Sequence, residues 1–197
     1  MEAETDTHSN TARHNLSLAP SLYGIANTIR LTGWITLWVQ LALAVVALLT
    51  LLFALTGKSF SNQPSSTLGI GIFWAMCGIV ALLFSVYWDF RYTHIGKQLA
   101  NPNPALHPSK ADTIRAVQLG IIVGLLGMLL TLVGASATLG VFIAKSLSQP
   151  PGVAITDPNK IIRALDVFVM VANINGIVAH YIGTVASMWL YERVHQH

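Results

Sequence analysis

Residues 31–57 have the sequence LTGWITLWVQLALAVVALLTLLFALTG, which contains no Lys, Arg, Asp or Glu. An α-helix rises ~1.5 Å per residue and the hydrocarbon core of a bilayer is ~30 Å thick, so this stretch is long enough to cross a membrane. Three further stretches without these charged residues are also long enough: 59–88, 116–144 and 167–191. The sequence therefore predicts four transmembrane helices.

The composition supports a membrane protein. Only 10% of the residues are charged, 53% are hydrophobic, and the mean hydropathy is +0.60. A soluble helical bundle would need helices with a polar face, whereas residues 41–53 are apolar almost all round. The net charge of +3 is not concentrated in any Lys/Arg cluster, which excludes a nucleic-acid footprint. We therefore expect an all-α, polytopic membrane protein whose main partner is the lipid bilayer.

The chain is predicted to have two parts. Residues 1–18 are polar and lack apolar periodicity, which is typical of a disordered tail. Residues 19–197 form the membrane domain, and its first residues, after Ala19-Pro20, have the helical spacing of a short interfacial helix. The predicted spans cover about 33–56, 68–90, 112–145 and 159–191.

Turn and capping residues divide the spans into two helical hairpins. Prolines at 102 and 104 prevent a helix from continuing between spans two and three. Ser109, followed by Asp112, is a capping signal for a helix that begins near Lys110. Asp157-Pro158 predicts the start of span four, as an N-cap followed by proline.

A weak repeat relates the two hairpins. The turn at 57–64 (GKSFSNQP) resembles 144–150 (AKSLSQP), and GIVA occurs at both 78–81 and 176–179. Two hairpins in parallel arrangement would explain these matches, and chance matches in an apolar sequence are the alternative.

The distribution of Lys and Arg predicts the orientation. Seven of the 11 basic residues lie on the side of the two termini and of the loop between spans two and three, and four lie on the other side. The excess of basic residues favours both termini on the cytoplasmic or stromal side.

Span three carries a stripe of small residues spaced alternately four and three apart: Gly120, Gly124, Gly127, Thr131, Gly134 and Thr138. Small residues let two helix backbones approach closely within lipid, where no hydrophobic force drives helices together. We interpret the stripe as a packing seam, and the alternative is a hinge or the wall of a narrow pore.

Span four is the most polar. Asp166, Asn173, His180 and Ser187 are seven residues apart and lie along one face, whereas Asn175 points elsewhere. Ionisable residues at membrane depth usually face a bundle interior or a water-filled path. His180, the deepest ionisable group, is therefore expected either to bridge helices or to line a permeation path. Asp166 could instead lie close to the interface.

Other polar residues give weaker signals. Gln40 in span one is expected to hydrogen-bond to a neighbouring helix. Asp89, Arg91 and His94, at the end of span two, are expected to form a solvated interfacial charge cluster.

No cofactor or catalytic motif is found, and the chain is interpreted as not an enzyme. Asp166 and His180 are too far apart on one helix to share a metal ion, so they are only weak metal candidates without ligands from other helices. Cys77, the single cysteine, can form no intrachain disulfide.

Four stretches resemble a known family of four-helix membrane proteins from cyanobacteria and plastids, which includes a permease and import component of the chloroplast inner envelope. They are 33–41 (GWITLWVQL), 56–58 (TGK), 137–145 (ATLGVFIAK) and 164–168 (ALDVF). The resemblance runs from about Gly33 to Ser187 and includes Asn175 and His180. The acidic residues near the start do not resemble a signal or plastid transit peptide, which favours a cyanobacterial member, in the plasma or thylakoid membrane, over a plastid one.

This resemblance implies two different functions. In the first, the chain is a non-enzymatic subunit of a protein-translocation or transport system, packed into a homo-oligomer or a larger membrane complex. In the second, it is an iron permease that acts as an oligomer, with Asp166 and His180 lining the path. A structural membrane protein without a transport role is a further alternative.

Overall fold

The structure is a computed structural model of the chain. It describes the backbone of residues 2–60, 66–101, 103–148 and 162–196. Side chains are described for 23–57, 69–101, 103, 105–148 and 162–196.

The described residues are almost entirely helical. They form α1 (Glu2–Phe60), α2 (Ser66–Leu99), α3 (Lys110–Leu147) and α4 (Ala164–His195), with one 3-10 turn at Pro104–Leu106. Each of these α-helices contains a segment long and apolar enough to span a membrane: Tyr23–Gly57, Gly69–Leu99, Lys110–Leu147 and Ala164–His195. The predicted all-α membrane fold is confirmed.

The helices pack as two hairpins side by side. α1 contacts α2 and α4, α3 contacts α2 and α4, and α2 also approaches α4 across the bundle. The bundle has two ends. We use "terminal end" for the one at which α2 and α4 end, and "hairpin end" for the one at which α1 and α3 end. Buried apolar clusters fill both ends, with Ile29, Trp88, Val117 and Leu190 at the terminal end and Leu51, Ile72 and Val169 at the hairpin end.

Two glycines allow close contact between α1 and α2. A Cβ on Gly33 would lie 3.1 Å from the backbone oxygen of Asp89, and a Cβ on Gly96 would lie 2.8 Å from that of Ala26. Both helices therefore approach to backbone contact, which only small residues permit.

Capping fixes the start of α3 as predicted. Ser109 Oγ accepts a hydrogen bond of 3.0 Å from the backbone N–H of Asp112 and donates one of 2.6 Å to the Asp112 carboxylate. α3 begins at Lys110, which confirms the prediction. α4 begins only at Ala164, later than predicted, and the proposed cap at Asp157-Pro158 lies outside the described residues.

Helices α1 and α2 are longer than predicted. α1 begins at Glu2, so it includes both the stretch expected to be a disordered tail and the expected separate interfacial helix. Extending an existing helix costs far less than starting one, which lets a helix run on into a polar stretch. α2 continues past residue 90 to Leu99, because Tyr92 and Ile95 pack into the apolar cluster at the terminal end.

Candidate functional site

The predicted polar face of α4 lies inside the bundle. Asp166, Asn173, His180 and Ser187 are all buried, with exposed fractions of 0 to 3%. Thr184, which the sequence analysis did not single out, lies on the same face and is equally buried. Asn175 lies to one side, half-buried, and its Nδ2 donates to the backbone oxygen of Val171 on its own helix.

The glycines of α3 lie opposite these polar side chains. A Cβ added to Gly134 would collide with the Asn173 amide, and one added to Gly127 with the His180 ring. Gly124 follows the same pattern with Thr184, whereas a Cβ on Gly120 would collide with the Tyr92 hydroxyl of α2 and would lie 3.1 Å from the Ser187 hydroxyl of α4. The stripe therefore provides a series of recesses that accommodate the polar face of α4.

His180 bridges two helices. Its Nε2 lies 3.2 Å from the backbone oxygen of Gly78 on α2. A carbonyl oxygen can only accept, so Nε2 is the donor, and in a neutral ring Nδ1 is then an acceptor. Nδ1 is buried and has no hydrogen-bond partner in the described part of the chain.

Gly78 and Gly176 are the first residues of the two GIVA matches, and both lie against the side chain of Thr131 on α3. The two matched segments therefore converge on one residue in the middle of the bundle. Whether they descend from a duplication stays a prediction.

Gln40 does not form the predicted hydrogen bond to a neighbouring helix. Its side chain lies against Gly183 of α4 with 0% exposure, but neither amide atom has a hydrogen-bond partner among the described residues. The Ser85 hydroxyl borders the same recess at Gly183, but it forms no hydrogen bond with the Gln40 amide.

Asn173 likewise bonds within its own helix. Its Nδ2 donates to the backbone oxygen of Val169 at 2.9 Å, and its Oδ1 is unpartnered within the described residues. The contact with α3 at Gly134 is therefore one of shape rather than of hydrogen bonding.

Asp166 belongs to a different part of the molecule from His180. It lies in the first turn of α4, forms a salt bridge with Lys145 of α3, and accepts a hydrogen bond of 2.9 Å from the backbone N–H of Arg163. Asp166 and His180 are thus not brought together. Within the residues that the structure describes, no group of three or more His, Cys, Asp and Glu side chains could hold a metal ion.

The prediction of a solvated charge cluster at the end of span two is wrong for Asp89. Arg91 and His94 are exposed, whereas Asp89 is only 2% exposed. Asp89 shares a helix face with Ser85 and Tyr92, because the three are spaced four and three residues apart. That spacing was the sequence signal for a second buried polar face, on α2.

The two polar faces meet near the terminal end. The Tyr92 hydroxyl and the Ser187 hydroxyl share a hydrogen bond of 3.2 Å between α2 and α4. Trp88 Nε1 donates to the backbone oxygen of Ala116 at 2.6 Å and so links α2 to α3. The described part of the bundle interior is therefore polar along much of its length, and the Tyr92–Ser187, Trp88–Ala116 and His180–Gly78 hydrogen bonds link helices within it.

The outer surface of the spans is apolar and carries aromatic residues. Trp34 and Trp38 stack with ring centroids 5.9 Å apart, and both are well exposed. The guanidinium of Arg193 lies 5.7 Å from the ring centroid of Trp189, which is also exposed. Such aromatic and basic pairs are typical of the boundary between lipid and water.

Comparison with known proteins identifies relatives. Protein TIC 21, chloroplastic, from Arabidopsis thaliana is 33% identical over 168 residues, which cover 82% of this chain and 55% of that protein. The chain thus spans little more than half the length of this relative. No solved structure matches. Residues 19–195 match the family described as "Protein of unknown function (DUF3611)". This match and the plastid relative confirm the predicted resemblance, and the chain belongs to that family of membrane proteins.

Proposed function

We propose that the chain is a non-catalytic subunit of a membrane transport or protein-translocation system and acts within a homo-oligomer or a larger membrane complex. The observation that carries the proposal is the close packing of the described helices, which meet at glycines between α1 and α2, α2 and α3, α3 and α4, and α1 and α4. The recesses along α3 hold the side chains of Asn173, His180 and Thr184, so the space between α3 and α4 is occupied by the protein itself. A route for cargo would have to be formed between copies or with another subunit.

The lipid-facing surface supports the same proposal. Only 28 to 39% of the most apolar window of each candidate span is buried within the chain. The rest is available to lipid or to other transmembrane helices, which pack through van der Waals contact in the bilayer. The resemblance of residues 33–41, 56–58, 137–145 and 164–168 to the family of four-helix membrane proteins favours a role in transport or import over a purely structural one.

The alternative, an iron permease with Asp166 and His180 on one path, has less support from the geometry. Asp166 is engaged by Lys145 and by the start of α4, and His180 Nε2 is engaged by Gly78. The two residues are thus engaged by different partners at different points along α4, so we do not adopt this function.

We propose that the chain resides in a cyanobacterial plasma or thylakoid membrane, or in the plastid inner envelope, with both termini on the cytoplasmic or stromal side. The relative named chloroplastic and the distribution of basic residues support this placement.

The test is purification of the full chain, carrying an affinity tag, from its native membrane in mild detergent. Two differently tagged copies, expressed together, report self-association, and mass spectrometry identifies other subunits against an untagged control. We expect a stable complex larger than the 21.3 kDa chain. A chain that is monomeric in detergent and forms no cross-links in intact membranes contradicts the proposal.

A further inference from the structure

Asp89 is a buried carboxyl, and no cation among the described residues lies beside it to balance its charge. It is 2% exposed, and its Oδ2 has no hydrogen-bond partner among the described residues. It takes part in no ion pair within the described ranges, unlike Asp166, which is also buried but is paired with Lys145.

The helices around Asp89 bring no cation to it. Gly33 of α1 covers its backbone, and Tyr92, the titratable group on the same face of α2, bonds to Ser187. The described Lys and Arg side chains near this end of the bundle are all exposed: Arg30 of α1, Arg91 and Lys97 of α2, Lys110 and Arg115 of α3, and Arg193 of α4. His94 and His195 are exposed as well, and the half-buried His107 ring bonds to the backbone oxygen of Asn101.

An ionised carboxylate is very unfavourable in such a place. Its hydration is lost on burial, and neither an opposite charge nor a full set of hydrogen-bond donors replaces that hydration. A group of this kind takes up a proton rather than remain charged, because the neutral acid costs much less to bury.

We propose that Asp89 is a proton-binding site within the membrane, whose carboxyl holds a proton while the helices around it are packed together. Ionisation of this carboxyl and opening of the bundle around it favour each other, because opening admits water to the carboxylate. Proton occupancy at Asp89 is therefore linked to the packing of the bundle, whatever cargo the protein serves.

Infrared spectroscopy of the full chain in phosphatidylcholine vesicles tests the proposal. At neutral pH we expect the C=O stretching band of a protonated carboxylic acid, and its loss in Asp89→Asn. The matched control is Asp166→Asn, which removes the buried carboxylate that does have a cation partner and should leave the band unchanged.

A second variant keeps the test informative if Asp89→Asn does not fold. In this test the aspartates carry a ¹³C carboxyl, which shifts the C=O stretching band. Asp89→Glu retains a carboxyl at this position, but the glutamate carries no label. The band should therefore move back to the unlabelled frequency. Absence of the band at neutral pH, as for a carboxylate that binds a metal cation, overturns the proposal. So does a band that survives Asp89→Asn, or one that stays at the labelled frequency in Asp89→Glu.

Discussion

Each recess on α3 is formed by a glycine, which has no side chain and lies opposite a polar side chain of α4. Gly127 leaves space for the His180 ring, and Gly134 leaves space for the Asn173 amide. In water such a pair would be an inefficient way to join helices, because neither residue removes much apolar surface from solvent. In lipid, close contact and shelter of polar groups are what hold helices together. The glycines of α3 and the polar residues of α4 therefore recur at spacings that keep each set on one face of its helix.

Filling one recess should destabilise the protein. In Gly127→Ala the new methyl group would collide with the His180 ring, and overpacking of this kind costs about 1 to 3 kcal/mol. The matched control is Gly140→Ala on the same helix, where a Cβ meets nothing within 4 Å. Its stability should change by no more than about 1 kcal/mol. Unfolding by a denaturing detergent from mild micelles measures both; equal losses would mean that Gly127 does not face His180.

Replacing Gln40 should not destabilise the protein, in contrast to filling a recess on α3. Its buried amide has no partner among the described residues, and an unsatisfied buried polar group costs about 1 to 3 kcal/mol. Gln40→Met, which has a similar length and no amide, should therefore be at least as stable as the natural protein. Gln118→Met, at an exposed position of α3, controls for the general effect of the exchange. A clear loss of stability in Gln40→Met alone, in the same unfolding assay, would show that the amide is bonded in the membrane.

At the scale of elements, the hairpin of α3 and α4 is closed at its hairpin end by Lys145 and Asp166. The same carboxylate accepts from the backbone N–H of Arg163 at the start of α4. One side chain thus joins the end of α3 to the beginning of α4 and satisfies a backbone group that the helix leaves free. This explains why α4 begins where it does.

A double-mutant cycle measures this link. Lys145→Met and Asp166→Asn should each destabilise the protein, and the double variant should lose less than the sum of the two. Residues in one ion-pair network usually show a coupling energy of about 0.5 to 3 kcal/mol. Additive losses in detergent unfolding would mean that the salt bridge does not contribute to the stability of the hairpin.

The sequence predicted the helices well because long uncharged stretches admit few other structures in a membrane. It also predicted which residues share a face, as in the stripe of α3, since helical spacing fixes this. It could not show that this face packs against the polar face of α4, because spacing within one helix does not identify the neighbouring helix. Asp89 was misplaced for a related reason: a charged residue beside Trp88 and Arg91 has the pattern of an interface, and only tertiary packing turns it inward.

For the whole molecule, the contacts between helices fix a single up-and-down arrangement. Residues from α1, α2, α3 and α4 meet in one apolar cluster at the terminal end, among them Ile29, Trp88, Val117 and Leu190. At the hairpin end, Gly57 near the end of α1 lies against Leu165 at the start of α4. Crossing the bilayer once with each helix then places the ends of α2 and α4 on one side of the membrane and the end of α3 on the other.

Labelling of single cysteines tests this arrangement in the membrane. In a Cys77→Ala background, Leu106→Cys lies in the connection after α2, Gln196→Cys follows α4, and Leu147→Cys ends α3. All three positions are exposed, Leu147 to 82%, so a maleimide that cannot cross membranes should reach each of them from one side only. We expect residues 106 and 196 to react in inside-out vesicles and residue 147 in right-side-out vesicles, because the excess of Lys and Arg lies on the side of 106 and 196.

Detergent-permeabilised vesicles, in which all three should react, are the control. If 106 and 147 react in the same sealed preparation, α3 does not cross the bilayer and the up-and-down arrangement is wrong.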